Sequence, residues 1–350
     1  MEKMQNERQY EMEMNRRNFI RNSGLILGGI SLGSIVSKAW AQKVTKWKYF
    51  YISPPMHHDT IAMNEFSKEV QQLTNSQLQI VIYPGGELPY PPTVAVNIVR
   101  DKFVDGATAQ SDFVAGSIPI LNLLNLPMLV TNLNELEIAM PLFLPYATKE
   151  FEKRGIRILF WHFNSQKCIF GRGKPIISLN DIKGMKIRTF GLTDAQFIQR
   201  LGGAPVSLPN TEVATAIERG VVDAFIASAF FTIGSRWDDL IDWVYLMDMT
   251  AITGYEIVSI SSVKALPESS ARILFDVSQK YQKRWNNEIV ELEKESRIAI
   301  MNKGKKLIQI NEKDRTKATE LIIPYWQEWA SRVGSDATEV LQKIRGALKK

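Results

Sequence analysis

At 350 residues the chain is long enough for two domains, and 45% hydrophobic with 23% charged residues is the balance of a globular protein. The formal charge is +6, but residues 1–41 carry six Lys/Arg against four Glu. The remainder therefore holds only a modest +4 with no block of basic residues, which argues against a nucleic-acid partner. A single cysteine, Cys168, excludes an internal disulfide and any cysteine-based metal site.

The amino terminus reads as a leader. Asn15-Arg16-Arg17-Asn18-Phe19-Ile20-Arg21 precedes an uncharged run from Gly24 to Val36, and Ala39-Trp40-Ala41 supplies small residues at the positions a signal peptidase reads. The apolar run of about 13 residues is too short to span a bilayer and is rich in Gly and Ser, which disfavours a retained anchor. The pattern resembles a twin-arginine signal, so residues 1–41 are expected to be removed and the rest to lie in the periplasm.

Beyond it, Thr45–Ile52 is an aromatic-rich strand, followed by a loop with His57-His58 and a helix from Ile61 to Leu73. Gln77–Tyr83 is the next strand, ended by Pro84-Gly85-Gly86; a helix over Thr93–Lys102 leads to a short strand, Gly106–Gln110. Leu121–Val130 is an apolar run suited to core packing. A helix begins at Asn132 or Asn134 and should be interrupted near Pro141 and Pro145. Ile156–Trp161 and Lys167–Phe170 read as strands.

The central stretch runs from Lys183 to Ser228. Strand Met185–Arg188, helix Thr193–Leu201, strand Ala204–Leu208, helix Asn210–Arg219 and strand Val221–Ile226 make two successive βαβ units. Trp243–Met247 and Tyr255–Ser261 are further strands. A breaker-free helix from Pro267 to about Asn302, roughly 50 Å long at 1.5 Å per residue, exceeds one small lobe and should cross both. Lys306–Ile310 is a strand, and helices over Glu312–Val333 and Asp336–Leu348 close the chain. The expected fold is α/β with two lobes, each a mainly parallel sheet flanked by helices. The expected boundaries are 42–164 plus 254–293 for the first lobe and 165–253 plus 294–350 for the second, with a cleft between them.

Catalytic signatures are missing. The three histidines, His57, His58 and His162, form no HExxH-like pair; no G-x-S-x-G elbow and no dinucleotide fingerprint occur. Cys168 in an apolar strand reads as a small buried residue. His57 and His58 read as a solvated or locally bonded loop pair, with a place at the cleft mouth as the alternative. Binding without a cofactor is therefore favoured over catalysis. Ligands gather outside the carboxyl ends of strands in such sheets, where Arg188 stands, and its planar fork suits a carboxylate. Phe163, Phe190, Phe225, Phe230 and Phe231 recur at strand ends as candidate walls, and Arg172 is a candidate second cation.

Several ordered elements carry a family resemblance. They are Val81-Ile82-Tyr83-Pro84-Gly85-Gly86-Glu87-Leu88, Leu126-Pro127-Met128, and Pro175-Ile176 with Asp181-Ile182-Lys183-Gly184-Met185-Lys186-Ile187-Arg188; Gly203-Ala204-Pro205-Val206, Glu212-Val213 and Gly220-Val221-Val222-Asp223 follow. Together they resemble the DctP-type solute-binding proteins of TRAP (tripartite ATP-independent periplasmic) transporters across the region after the leader. The resemblance implies a two-lobed receptor, a monomer or dimer, that closes on a small organic acid and delivers it to TRAP membrane permease subunits. Its carboxylate-gripping arginine falls on Arg188. A second arginine found in some members would fall near Lys167-Cys168, where none stands, and the segment Ala224-Phe225-Ile226-Ala227-Ser228 is apolar where the family is often polar. These departures favour a monocarboxylate with an apolar or aromatic body, flanked by Phe163, Phe190 and Phe225 and oriented by Gln110, Ser111 and Ser228. Closure is expected about hinges near Phe163–Gln166 and Thr253–Tyr255. An exported enzyme, or a ligand sensor for a membrane receptor, is the alternative.

Overall fold

The structure, a computed structural model, describes residues 44–350. The leader expected over residues 1–41 lies outside the described residues. The strands are β1 (Thr45–Phe50), β2 (Leu78–Tyr83), β3 (Gly106–Gln110), β4 (Ile156–Gln166), β5 (Cys168–Gly171), β6 (Lys186–Thr189), β7 (Ala204–Ser207), β8 (Ala224–Ala227), β9 (Trp243–Leu246), β10 (Ala251–Ser259) and β11 (Lys306–Gln309). They form two sheets, ordered β2-β1-β3-β10-β4 and β11-β9-β5-β8-β6-β7.

Each sheet is mainly parallel, as expected, and is mixed only because one strand runs against the rest. In the first sheet β1 pairs in parallel with β2 and β3, but β10 is antiparallel to both β3 and β4. In the second, β6 is parallel to β7 and β8 and β9 to β11, while β5 is antiparallel to β8 and β9. The cause is the route of the chain. β10 enters the first sheet from β9, and β5 enters the second from β4, so neither arrives by the helical return that makes neighbours parallel. Only Lys167 separates β4 from β5. Around these crossings Ser165 and Asp248 take positive φ (76° and 45°), and the β4–β10 register shifts between Ala251 and Thr253.

The long helix spans Glu268–Asn302, 35 residues. It packs on β4 and helix His58–Leu73 in one half and on helix Ala229–Gly234 and β11 in the other. Helix Leu133–Glu152 is continuous through Pro141 and Pro145. The expected interruption is absent because the two prolines, four residues apart, both lie on the exposed face, where freed carbonyls meet water. Helix Glu312–Val333 packs on helix Leu192–Arg200 and on the 3-10 turn Pro119–Asn125, and helix Ser335–Leu348 packs on Leu133–Glu152. One large apolar core underlies most of the chain, and a smaller one, with Phe170, Phe225 and Trp237, sits on the second sheet.

Gly171 shows how closely the second sheet is filled: a Cβ there would overlap the indole of Trp243. Gly171→Ala should destabilise the fold by about 1–3 kcal/mol through overpacking. Gly116→Ala, where nothing lies within 4 Å of the added atom, should change it by less than about 0.5 kcal/mol. Urea unfolding of the two variants checks the contrast.

Candidate ligand-binding cleft

A cavity of about 760 Å³ opens between the halves, where the carboxyl ends of β1, β3, β6 and β8 converge. From one half it takes Phe50, Ile52, His57, Asp59, Tyr90, Gln110, Phe113 and Asn164; from the other, Arg188, Phe190, Asn210, Ser228, Phe230, Phe231 and Trp237.

Arg188 lies next to the end of β6, pairing with Val206 of β7 and Phe225 of β8. Only 3% of the residue is exposed. Its Nε donates to the Leu208 carbonyl at 2.9 Å and its Nη2 to Asn210 Oδ1 at 2.6 Å. The guanidinium carbon sits 4.3 Å from the centre of the Phe190 ring. Among the described residues Nη1 has no hydrogen-bond partner and no carboxylate pairs with the group. Burial therefore lowers its pKa to about 10, with the Asp194 charge opposing. A cation held by neutral acceptors in a dry site is prepared for an anion.

The other candidate residues divide. Phe190, Gln110 and Ser228 line the cavity, as do Phe230 and Phe231. Ser228 Oγ accepts from the Phe231 amide at 3.2 Å and caps helix Ala229–Gly234. Phe225 does not reach the wall: its ring stacks on Phe170 at 5.5 Å and meets Trp237 edge-on at 5.2 Å, inside the smaller core. Phe163 is likewise packed in the larger core, its amide donating to Asn286 Oδ1 at 2.8 Å. Ser111 is buried behind the wall, 2.9 Å from Thr253 Oγ1. Arg172 is exposed, and its amide, not its guanidinium, is tied down, to the Asp223 carbonyl. These four corrections share a cause. Position near a strand end does not say which face a side chain takes, and the cores claimed the aromatic ones.

The cavity also uses residues that sequence reasoning left aside. Asn210, legible as a helix start, holds Arg188 as well. Asn164 reaches the wall, and His162 Nδ1 lies 3.0 Å from its Oδ1. His162 itself is buried, 3.3 Å from the Glu256 carboxylate, to which Tyr49 and Thr108 donate. The adjacent histidines separate: His58 is partly exposed, 3.8 Å from Glu288, while His57 joins the wall beside Asp59. Burial lowers the His57 pKa, and the Asp59 carboxylate outweighs it, so the net shift is upward.

Lys167 sits behind the site in the crossover. Its Nζ is 3.0 Å from Asp112 Oδ2, on the first half, and 3.1 Å from both oxygens of Asp194, on helix Leu192–Arg200 of the second. All three side chains are buried. Burial opposes the lysine charge, but the two carboxylates prevail and raise its pKa.

With this geometry the comparisons are specific. A family model described as DctP, bacterial extracellular solute-binding protein, family 7, matches residues 51–332. The chain belongs to that family. A solute-binding protein of Albidiferax ferrireducens is 27% identical over 180 residues, 51% of this chain and 52% of that protein; the chain thus spans about half of that relative's length. Among solved structures, DctP7 of Bordetella pertussis, an extracytoplasmic solute receptor binding pyroglutamic acid, superposes with a TM-score of 0.79 at 20% identity, covering 86% of this chain and 99% of that one. A TRAP periplasmic solute-binding protein of Chromohalobacter salexigens with bound D-glucuronate gives 0.79 at 17% identity and the same coverages. This DctP-family chain therefore has the two-lobed α/β fold of such receptors. Among the described residues no helix is long and apolar enough to cross a membrane.

Replacing Lys167 by Met would leave Asp112 and Asp194 buried without their cation. Lys167→Met should lower stability by about 3–5 kcal/mol. Chemical denaturation checks it, and a loss below about 1 kcal/mol would show that the two carboxylates do not depend on the lysine.

Proposed function

We propose that this DctP-family protein is a periplasmic receptor that captures a small organic acid and delivers it to TRAP membrane permease subunits. The favoured ligand is a monocarboxylate with an apolar or aromatic body. The observation that carries the reading is Arg188, a buried guanidinium with two neutral acceptors and an unpartnered Nη1 at a cavity large enough for a small molecule. A ligand carboxylate supplies the missing charge and reverses the effect of desolvation. The solved relatives with pyroglutamic acid and D-glucuronate support an acid as cargo.

The apolar-body reading now rests on different residues. Phe225 and Ile226 are core, but Phe50, Tyr90, Phe113, Phe190, Phe230, Phe231 and Trp237 surround the cavity. Aromatic walls favour a flat or hydrocarbon body over a fully hydroxylated one. Gln110 and Ser228 are the polar groups available to orient it.

Binding would act by shifting the population of closed molecules. Phe163–Gln166, at the end of β4, and Thr253–Tyr255, in β10 a few residues past the crossing from β9, are the proposed hinges; the positive φ of Ser165 and the β4–β10 irregularity support this. The ligand then bridges Arg188 on one half and the aromatic wall of the other, contacts that exist only when the halves are together.

Arg188→Ala should weaken the binding of an aromatic monocarboxylate such as 3-phenyllactate at least about a hundredfold, since losing one side of a buried pair costs roughly 3–5 kcal/mol. Arg188→Lys keeps the charge without the fork and should fall between. Calorimetric titration measures both, and equal affinity in wild type and Arg188→Ala rejects the assignment.

A further inference from the structure

Arg188 is not alone among the cavity residues in having buried polar atoms without a partner. His57 and Asp59 stand at the start of helix His58–Leu73, His57 as its N-cap and Asp59 in its first turn; their side chains are only 9% and 10% exposed, and both line the cavity. His57 Nδ1 lies 3.2 Å from Asp59 Oδ2, near enough for charge attraction but without the alignment of a hydrogen bond. Among the described residues neither ring nitrogen of His57, nor Asp59 Oδ1, has a hydrogen-bond partner. The other carboxylate oxygen, Oδ2, accepts from Ser53 Oγ at 3.3 Å.

From the opposite half, Phe230 meets the imidazole edge-on at 5.2 Å and Phe231 lies 6.2 Å away. Gly234 stands behind, where a Cβ would come within 3.4 Å of Nε2. The pair is thus shielded from water by apolar groups, and three of its four polar side-chain atoms have no protein hydrogen bond. Buried polar atoms are nearly always partnered, and a group left open beside a cavity is a place for a ligand atom. A ligand reaching this pair breaks no existing hydrogen bond.

The atom types specify the partner. A carboxylate only accepts, so Asp59 Oδ1 requires a donor. Imidazole accepts at one nitrogen when neutral and donates at both when charged. A hydroxyl suits both states: it gives its hydrogen to the carboxylate or the neutral ring, and its oxygen accepts from the imidazolium. An ether oxygen accepts from the imidazole but offers the Asp59 carboxylate nothing, and a methyl group satisfies neither residue.

We infer that His57 and Asp59 form a second polar subsite that takes a hydroxyl of the bound acid, so the cargo is a hydroxy acid gripped at its carboxylate by Arg188 and at its hydroxyl by this pair. The inference rests on the acid-receptor reading and narrows it. The cavity then selects by two polar points at separate places, with the aromatic wall accepting the hydrocarbon between them.

Calorimetric titration of the protein with acids that differ only in the hydroxyl tests it: 3-phenyllactate against 3-phenylpropionate, and mandelate against phenylacetate. The hydroxy acid of at least one pair should bind wild type at least about tenfold more tightly, the effect of one buried hydrogen bond to a charged group. In His57→Phe and in Asp59→Leu this preference should collapse to about twofold or less, while the affinity of the deoxy acid stays the same, an outcome that general damage to the fold does not produce. Equal binding of both members of each pair to wild type, or an undiminished preference in both variants, overturns the inference and leaves the acid receptor standing. If no acid binds wild type, or if Arg188→Ala binds them as tightly, the receptor reading fails and the hydroxyl subsite fails with it.

Discussion

The site depends on one electrostatic constraint: a guanidinium has been taken out of water and given only part of what it needs. Arg188 is fixed by the Leu208 carbonyl and by Asn210, and its flat face is covered by Phe190. None of these neutralises the charge. Two hydrogen bonds and a cation–π contact hold the orientation, while the lowered proton affinity records the unrelieved desolvation. A group left in this state gains more from an incoming carboxylate than an exposed arginine would, because burial has already removed most of its hydration. The same burial excludes neutral ligands of similar shape, which would leave the charge uncompensated.

The crossovers explain how that group meets the other half of the molecule. Two antiparallel insertions, β5 and β10, carry the chain between sheets, and they are the reason each sheet is mixed. Lys167 lies just before β5, ion-paired with Asp112 on one side and Asp194 on the other. Asp194 belongs to the helix that follows the Arg188 strand, and Lys167 also lies 5.4 Å from the Phe190 ring. The buried triad is therefore coupled through packing to the cavity-lining arginine. It stands where the family resemblance suggests a second arginine, but its charge is already used by the protein. Arg188 is the one Lys or Arg among the described residues of the cavity wall.

Much of this was legible in the sequence. The βαβ rhythm from Lys183 to Ser228 and the breaker-free run after Pro267 specify local structure through spacing, turn residues and caps, so the strands and the long helix follow from them. Arg188 was legible because a strand's carboxyl end is a topological location, independent of side-chain packing. Phe225 was not, because which face of a strand becomes core depends on Phe170 and Trp237, distant in sequence. For His57 the sequence favoured a solvated loop residue over a place at the cleft mouth, for a related reason. A polar loop residue looks solvated until Phe230 and Phe231, more than 170 residues later, are laid over it. The one reversed strand in each sheet, β10 or β5, also depended on the order in which the chain visits the two sheets, which no local pattern encodes.

Mass spectrometry of the small molecule released on denaturing the natively purified protein addresses the central claim most directly. The account predicts one organic acid per chain, carried by wild type and absent from Arg188→Ala. A neutral or purely cationic compound, or an acid retained equally by the variant, would contradict it.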